Sequence, residues 1–133
     1  MKDNFVQINI THEVDIAIAT SEARVLAAEG GFQQTEQYMI ATAVSELARN
    51  IFRYAKKGEL TIKILDEKTK KGIEIVARDD GPGIENIGWA MTDHFSTSDS
   101  LGLGLPGVKR LMDEFEIESD CKSGTKITAR KWG

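Results

Sequence analysis

Three short segments of this sequence carry residue types that do chemistry. The first is Glu46-Leu47-Ala48-Arg49-Asn50, a carboxylate and an amide four residues apart. On a helix this spacing sets both side chains on one face. An Asn amide oxygen is a hard, neutral ligand suited to Mg²⁺, and a Glu carboxylate accepts a hydroxyl proton or orients a nucleophile. The pattern is also common on solvated helix faces. The second segment is Asp79-Asp80-Gly81-Pro82-Gly83-Ile84. A carboxylate at a strand end accepts a hydrogen bond from an adenine amino group, and glycines beyond it admit a flat ring closely. A plain Asp-Gly-Pro-Gly turn explains the same residues equally well. The third is Gly102-Leu103-Gly104-Leu105-Pro106-Gly107, which spells Gly-x-Gly-x-x-Gly. If it opens a helix, the N–H groups of Gly104, Leu105, Gly107 and Val108 face an anion there, aided by the helix dipole. One such match is a weak signal. Half of the 12 glycines, however, lie between Gly81 and Gly107, more than loop punctuation requires.

These segments need elements to hold them. Phe5 to Ile10 alternates as a strand does. Thr11 is placed to cap a helix running to about Glu29, with His12 in its first turn and Gly30-Gly31 ending it. Thr35 is placed to cap a second helix reaching about Tyr54. Its apolar stripe is Ile40, Ala43, Val44, Leu47, Ile51 and Ala55, and Glu46 and Asn50 project elsewhere, beside Thr42, Arg49 and Arg53. Glu59 to Leu65 and Gly72 to Ala77 read as a hairpin about the polar turn Asp66 to Lys71. Residues 84–101 are mixed, with one helical turn expected near Ile87 to Met91 and no core-forming pattern in Ser96 to Ser100, and a loop that long inside a compact domain often serves as a lid. A third helix is expected from Leu105 to about Phe115, with Pro106 in its first turn. Strands near Phe115 to Asp120 and Thr125 to Lys131 close the chain. The order predicts an α/β (α+β) two-layer sandwich, a mixed sheet with helices over one face. Residues 1–133 are expected to form a single domain.

Composition narrows the function. The formal net charge is −4, whereas a nucleic-acid binder of this size would be basic, so no nucleic-acid partner is expected. No apolar run approaches the roughly 20 residues that span a bilayer, and Met1 to Phe5 lacks the apolar core of a signal peptide. No membrane is expected, and the location is expected to be cytoplasmic. Cys121 is the only cysteine, which leaves no internal disulfide and no cysteine cluster for zinc. It reads as a small core residue near a strand end. Trp132 also reads as core. His12 and His94 are isolated, so metal hydrolysis through histidine is not expected. The glycine motif falls too late for a dinucleotide-binding Rossmann unit. A P-loop lysine is absent, as are the Val-Ala-x-Lys and Asp-Phe-Gly segments of ordinary protein kinases.

The ordered set resembles the GHKL (Bergerat-fold) ATPase family. Glu46 and Asn50 match its N box, Asp79-x-Gly81-x-Gly83 its first glycine box, and Gly102-x-Gly104-x-x-Gly107 its second. Ser123-Gly124-Thr125 resembles its late Gly-Thr strand entry. Within the family, three runs look most like the serine/threonine switch kinases of the bacterial stressosome. They are Ser45 to Ile51, His94 to Ser98 and Gly102 to Phe115.

That resemblance implies a protein kinase using ATP and Mg²⁺. Its substrates would be STAS-domain stressosome scaffold proteins, and once released it would activate a PP2C-type phosphatase. Carried over by position, Glu46 is the general base and Asn50 binds Mg²⁺. Asp79 reads adenine, Gly81 and Gly83 give the ring room, and Thr125 supports that contact, through water. Gly102, Leu103, Gly104, Leu105 and Gly107 wrap the phosphates, and Ser96 to Ser98 close on the γ-phosphate. Arg49 and Arg53 read as phosphate or partner contacts, or as surface salt bridges. The expected lid departs from the family in lacking glycine between Phe95 and Leu101. An anti-sigma factor kinase of the same fold is a rival that would bind a sigma factor. A non-catalytic, nucleotide-gated binding module would dock partners without transfer. An isolated histidine-kinase catalytic domain would need a His-bearing domain elsewhere.

Overall fold

The computed structural model describes residues 5–80, 104–120 and 124–133. In chain order these form β1 (Phe5–Ile10), α1 (Val14–Glu29), α2 (Gln34–Tyr54), β2 (Gly58–Asp66), β3 (Lys71–Asp79), α3 (Gly104–Leu111), β4 (Glu114–Asp120) and β5 (Gly124–Trp132). The strands make one five-stranded sheet in the order β1-β2-β3-β5-β4.

The two-layer α+β arrangement is as the sequence predicts, but every neighbouring pair of strands is antiparallel where a mixed sheet was expected. The connections explain why. A single helix between strands returns the chain in the same direction, whereas the α1–α2 helical hairpin between β1 and β2 reverses it. The β3–α3–β4 connection does leave β3 and β4 running the same way, yet β5 inserts between them and opposes both.

Each strand turns alternate residues toward the helices. Ile8 and Ile10, Leu60 and Ile62, Ile73 and Ile75, and Ile127 and Ala129 are buried there. They meet Ile40, Val44, Leu47 and Ile51 of α2 in one core cluster. Fully burying each large aliphatic chain contributes about 1.5–3 kcal/mol, so this contact fixes where α2 lies. α1 buries the smaller set Ile16, Ala19, Ala23 and Ala27. Its alanines, at fourfold spacing, let it pack tightly on α2.

Helix ends differ in detail from the expected caps. α1 begins at Val14, after Thr11 and His12, and is organised by Asp15. The Asp15 carboxylate accepts hydrogen bonds from the Thr11 and His12 backbone N–H groups, each at 2.9 Å, and from the Thr11 hydroxyl at 3.2 Å. A carboxylate takes two backbone donors where a threonine hydroxyl would take one. α1 ends as expected: Phe32 N–H donates to the Ala27 carbonyl and Gly31 N–H to that of Ala28, with Gly31 at φ 87°. At the start of α2, Glu36 accepts from Gln33 N–H at 3.2 Å, so Gln33 rather than Thr35 is the boundary. α3 stops at Leu111, short of Phe115, because Asp113 N–H bonds the Arg130 carbonyl at 2.8 Å and draws the chain into the sheet.

The backbone N–H groups of Thr11 and then His12 hold the Asp15 carboxyl below its ordinary value. A depressed carboxylate stabilises the fold above the unfolded value and loses that contribution as pH falls through the folded one. Wild type is therefore expected to be more stable than Asp15→Ala at neutral pH. The difference in thermal midpoint should narrow as pH drops below about 4. A gap that stays constant through acid would show that the carboxylate charge is irrelevant.

Trp132 is not in the core. Its side chain lies at the edge of the outer sheet face, where the indole N–H donates to Glu114 at 2.6 Å and the Lys70 ammonium sits 3.8 Å from the ring centre. Arg130 beside it bridges Glu74 at 2.7 Å and Glu114 at 3.0 Å. The Trp132 indole and the Arg130 guanidinium keep the Glu114 carboxyl low, and Glu74 and Glu114 raise Arg130.

Candidate functional site

One row of side chains crosses three strands at one end of the sheet. Asp79 of β3 stands opposite Thr125 of β5, and Thr125 stands opposite Ser119 of β4. All three belong to the helix-facing side of their strands. Thr125 is only 5% exposed, and its hydroxyl lies 3.0 Å from that of Ser119. An open cleft of about 470 Å³ wraps this end of the sheet, lined by Asp79, Ser119 and Thr125 and, from the outer face, by Arg78, Glu118 and Lys126. The combination of a carboxylate and a hydroxyl pair beside a cleft suits a base that both donates and accepts hydrogen bonds.

Gly124 makes this convergence possible. It has φ 83°, and a Cβ there would overlap the Asp79 carbonyl oxygen and stand 2.9 Å from the Asp80 Cα. Gly31 has φ 87° but nothing within 4 Å of such a Cβ. The pair separates backbone strain from steric collision. Gly31→Ala is expected to cost about 1 kcal/mol, the left-handed penalty alone. Gly124→Ala is expected to cost at least about 2 kcal/mol and to disturb the Asp79–Thr125 junction. Urea denaturation of both variants checks this, and equal losses would remove the steric part.

The α2 residues meet the same region. The volume above Gly58 is bounded by the Ile51 side chain, 2.7 Å from the position a Cβ would take, and by the Asp79 Cβ at 3.1 Å. The turn of α2 that carries Asn50 therefore adjoins the strand end that carries Asp79. Glu46 is 4% exposed and Asn50 is half-buried, so this is no solvated helix face. Ile40, Ala43, Val44, Leu47 and Ile51 of the expected stripe hold the core, whereas Ala55 lies just past the end of α2 and is half-buried; α2 is covered on a second side too. Arg49 and Arg53 line a groove between α1 and α2 together with Glu13, Phe52 and Lys56.

α3 begins at Gly104, with Leu105 and Gly107 in its first turns. The Leu105 side chain is 2% exposed and belongs to the core with Val108, so any role for Leu105 toward a ligand falls to its backbone. Gly81, Gly83, Gly102, Leu103 and the expected lid at 84–101 lie outside the described residues, as do His94 and Cys121. Ser119 was missed in the sequence. The signal for it is the pattern Phe115, Ile117, Ser119, in which a polar residue takes the third inward position of β4.

Among the described residues no group of three or more His, Cys, Asp and Glu side chains is placed to hold a metal ion. No helix among them is long and apolar enough to cross a membrane.

Residues 11–131 match the family model of the histidine kinase-like ATPase domain. That span includes α2, Asp79, α3 and Thr125 in the order described above.

The chain belongs to this family.

Its two-layer architecture is consistent with the Bergerat ATP-binding fold, and membership implies use of ATP. Among its relatives, the serine/threonine-protein kinase RsbT of Bacillus subtilis is 51% identical over 125 residues, 94% of each chain. Identity at that level over nearly the whole of both chains supports protein serine/threonine kinase activity here. The anti-sigma F factor of Clostridium novyi is 37% identical over 97 residues, covering 69% of this chain and 68% of that one. The anti-sigma F factor of Thermoanaerobacter sp. strain X514 is 38% identical over 99 residues, 70% and 68% of the two chains.

Proposed function

We propose that this chain is a serine/threonine kinase domain that phosphorylates STAS-domain scaffold proteins of a stressosome and, once released, activates a PP2C-type phosphatase. The observation that carries the reading is the junction at Gly58, where the Asn50 turn of α2 adjoins the strand end of Asp79. It sets an adenine-reading carboxylate next to a helix bearing an amide ligand and a carboxylate base. The 51% identity to the serine/threonine-protein kinase RsbT over 94% of both chains supports the kinase part of this reading.

In this reading Asp79 accepts the adenine amino hydrogen, and Thr125, held by Ser119, supports the ring through water. Gly81 and Gly83 leave it room. The start of α3, with Gly102, Leu103, Gly104, Leu105 and Gly107, binds the phosphates through backbone N–H groups. The half-buried Asn50, whose amide oxygen is a hard, neutral donor, fits a Mg²⁺ ion held by Asn50 and the nucleotide. When bound, Mg²⁺ offsets phosphate charge. Transfer itself asks for alignment. The acceptor hydroxyl oxygen attacks the γ-phosphorus, the bond to the bridging oxygen breaks, ADP departs, and Glu46 receives the hydroxyl proton.

The test is transfer from γ-labelled ATP to a purified STAS-domain stressosome protein. Label on Ser or Thr is expected. Its absence, with ATP binding demonstrated, would overturn the kinase assignment in favour of a nucleotide-gated binding module. The anti-sigma F relatives favour one alternative, an anti-sigma factor kinase acting on an anti-anti-sigma STAS protein. Capture of a purified sigma factor by the chain would decide for it.

A further inference from the structure

Lys131 is the one lysine among the buried polar residues described, at 7% exposure. It occupies the inward side of β5, in line with Thr125, Ile127 and Ala129, and stands opposite Ile73 of β3. An aliphatic residue would suit that row, and burying an ammonium group is costly unless it is hydrogen-bonded. The Lys131 ammonium donates to the Leu111 carbonyl at 3.1 Å. Leu111 is the last residue of α3. The final carbonyls of a helix lack intrahelical partners and form the negative end of its dipole, so a cation there both satisfies an orphan acceptor and complements the charge. Lys109 and Arg110 also lie in the last turn, but both are exposed. Lys131 instead reaches the helix from the sheet beneath it, and the Asp113 N–H to Arg130 carbonyl bond secures the chain one step further on.

We propose that Lys131 is a positioning residue for phosphoryl transfer. By holding the Leu111 carbonyl it fixes the C-terminal end of α3, and with it the direction in which the helix start presents its N–H groups to the nucleotide phosphates. The proposal rests on the reading of that helix start as the phosphate-binding segment. α3 has eight residues and is therefore about 12 Å long. Its core anchors, Leu105 and Val108, lie within a single turn of each other, so the Lys131 contact beyond them sets the angle of the helix on that turn. Release at one end of so short a rod tilts the other, and a misplacement of about 1 Å in a positioning group is enough for a large functional loss.

The experiment measures displacement of a fluorescent ATP analogue by ATP and, separately, by adenosine, which carries no phosphates. Lys131→Met is expected to weaken ATP about tenfold and leave adenosine unchanged. Lys131→Arg, which keeps charge and donor, is expected to restore ATP affinity to within about twofold. ATP affinity equal to wild type in Lys131→Met, or equal weakening of ATP and adenosine, would overturn the positioning role, the second because general loosening affects both ligands. Failure of the wild-type protein to bind ATP would overturn the site reading and the proposal with it. Should Lys131→Met not fold, Lys131→Leu, which also lacks a donor, is read against the same outcomes.

Discussion

Glu46→Gln is expected to lower transfer from ATP to the protein acceptor by about 10²–10⁴-fold, the range for loss of a general base. ATP affinity is expected to stay within about twofold of wild type, since the contact to the acceptor proton is made during transfer and not in nucleotide binding. Gln is preferred to Ala here because the side chain is 4% exposed. Removing a buried chain of that size leaves a cavity whose cost would blur a catalytic effect. The decisive comparison is single-turnover transfer beside equilibrium ATP binding. Parallel loss of both would assign Glu46 to nucleotide binding or to the fold, and unchanged transfer would end its role as base.

The second large effect is expected at the other side of the Gly58 junction. Asp79→Asn should weaken ATP by roughly 10- to 150-fold, corresponding to about 1.5–3 kcal/mol for a hydrogen bond to a charged group. The substituted amide carries a donor as well as an acceptor, so preference for adenine over guanine nucleotides should also relax. The backbone pairings of Asp79 with Gly58 and Thr125 do not involve its side chain and are retained. Urea midpoints therefore serve as the control. Unchanged affinity for ATP with no shift in base preference would remove Asp79 from base recognition.

Much of this arrangement is legible in the sequence because periodicity reports burial directly. The Ile40, Val44, Leu47 and Ile51 stripe and the alternation in β2 and β3 gave those elements and their faces. The row from Asp79 through Thr125 follows once the last strand is seen to pair with β3. What the sequence hid depends on contacts distant in the chain. A solvated face and a buried polar face have the same residue types, so Glu46 and Asn50 could not be told from surface residues until α2 was seen covered on a second side. The Asp15 cap replaced Thr11 because a carboxylate three or four residues on can reach back to two donors at once. Trp132 reads as core in the sequence, where its partners are not visible. Its position is set instead by an acidic partner in β4 and a lysine from the hairpin turn, neither adjacent in sequence. Lys131 was likewise concealed, since only the path of α3 brings a carbonyl to its ammonium.

The insertion of β5 between β3 and β4 also governs the order in which the molecule can be assembled. A ribosome delivers four strands before the one that joins the third to the fourth. Until that strand emerges, β4 has no strand neighbour, Asp79 has no threonine opposite it, and α3 has no lysine beneath its end. Vectorial synthesis thus leaves a nascent chain with its first three strands free to pair while the Asp79 edge of the sheet stays open. A product lacking β5 would leave the inner edges of β3 and β4 without strand partners, exposed to pairing with other chains.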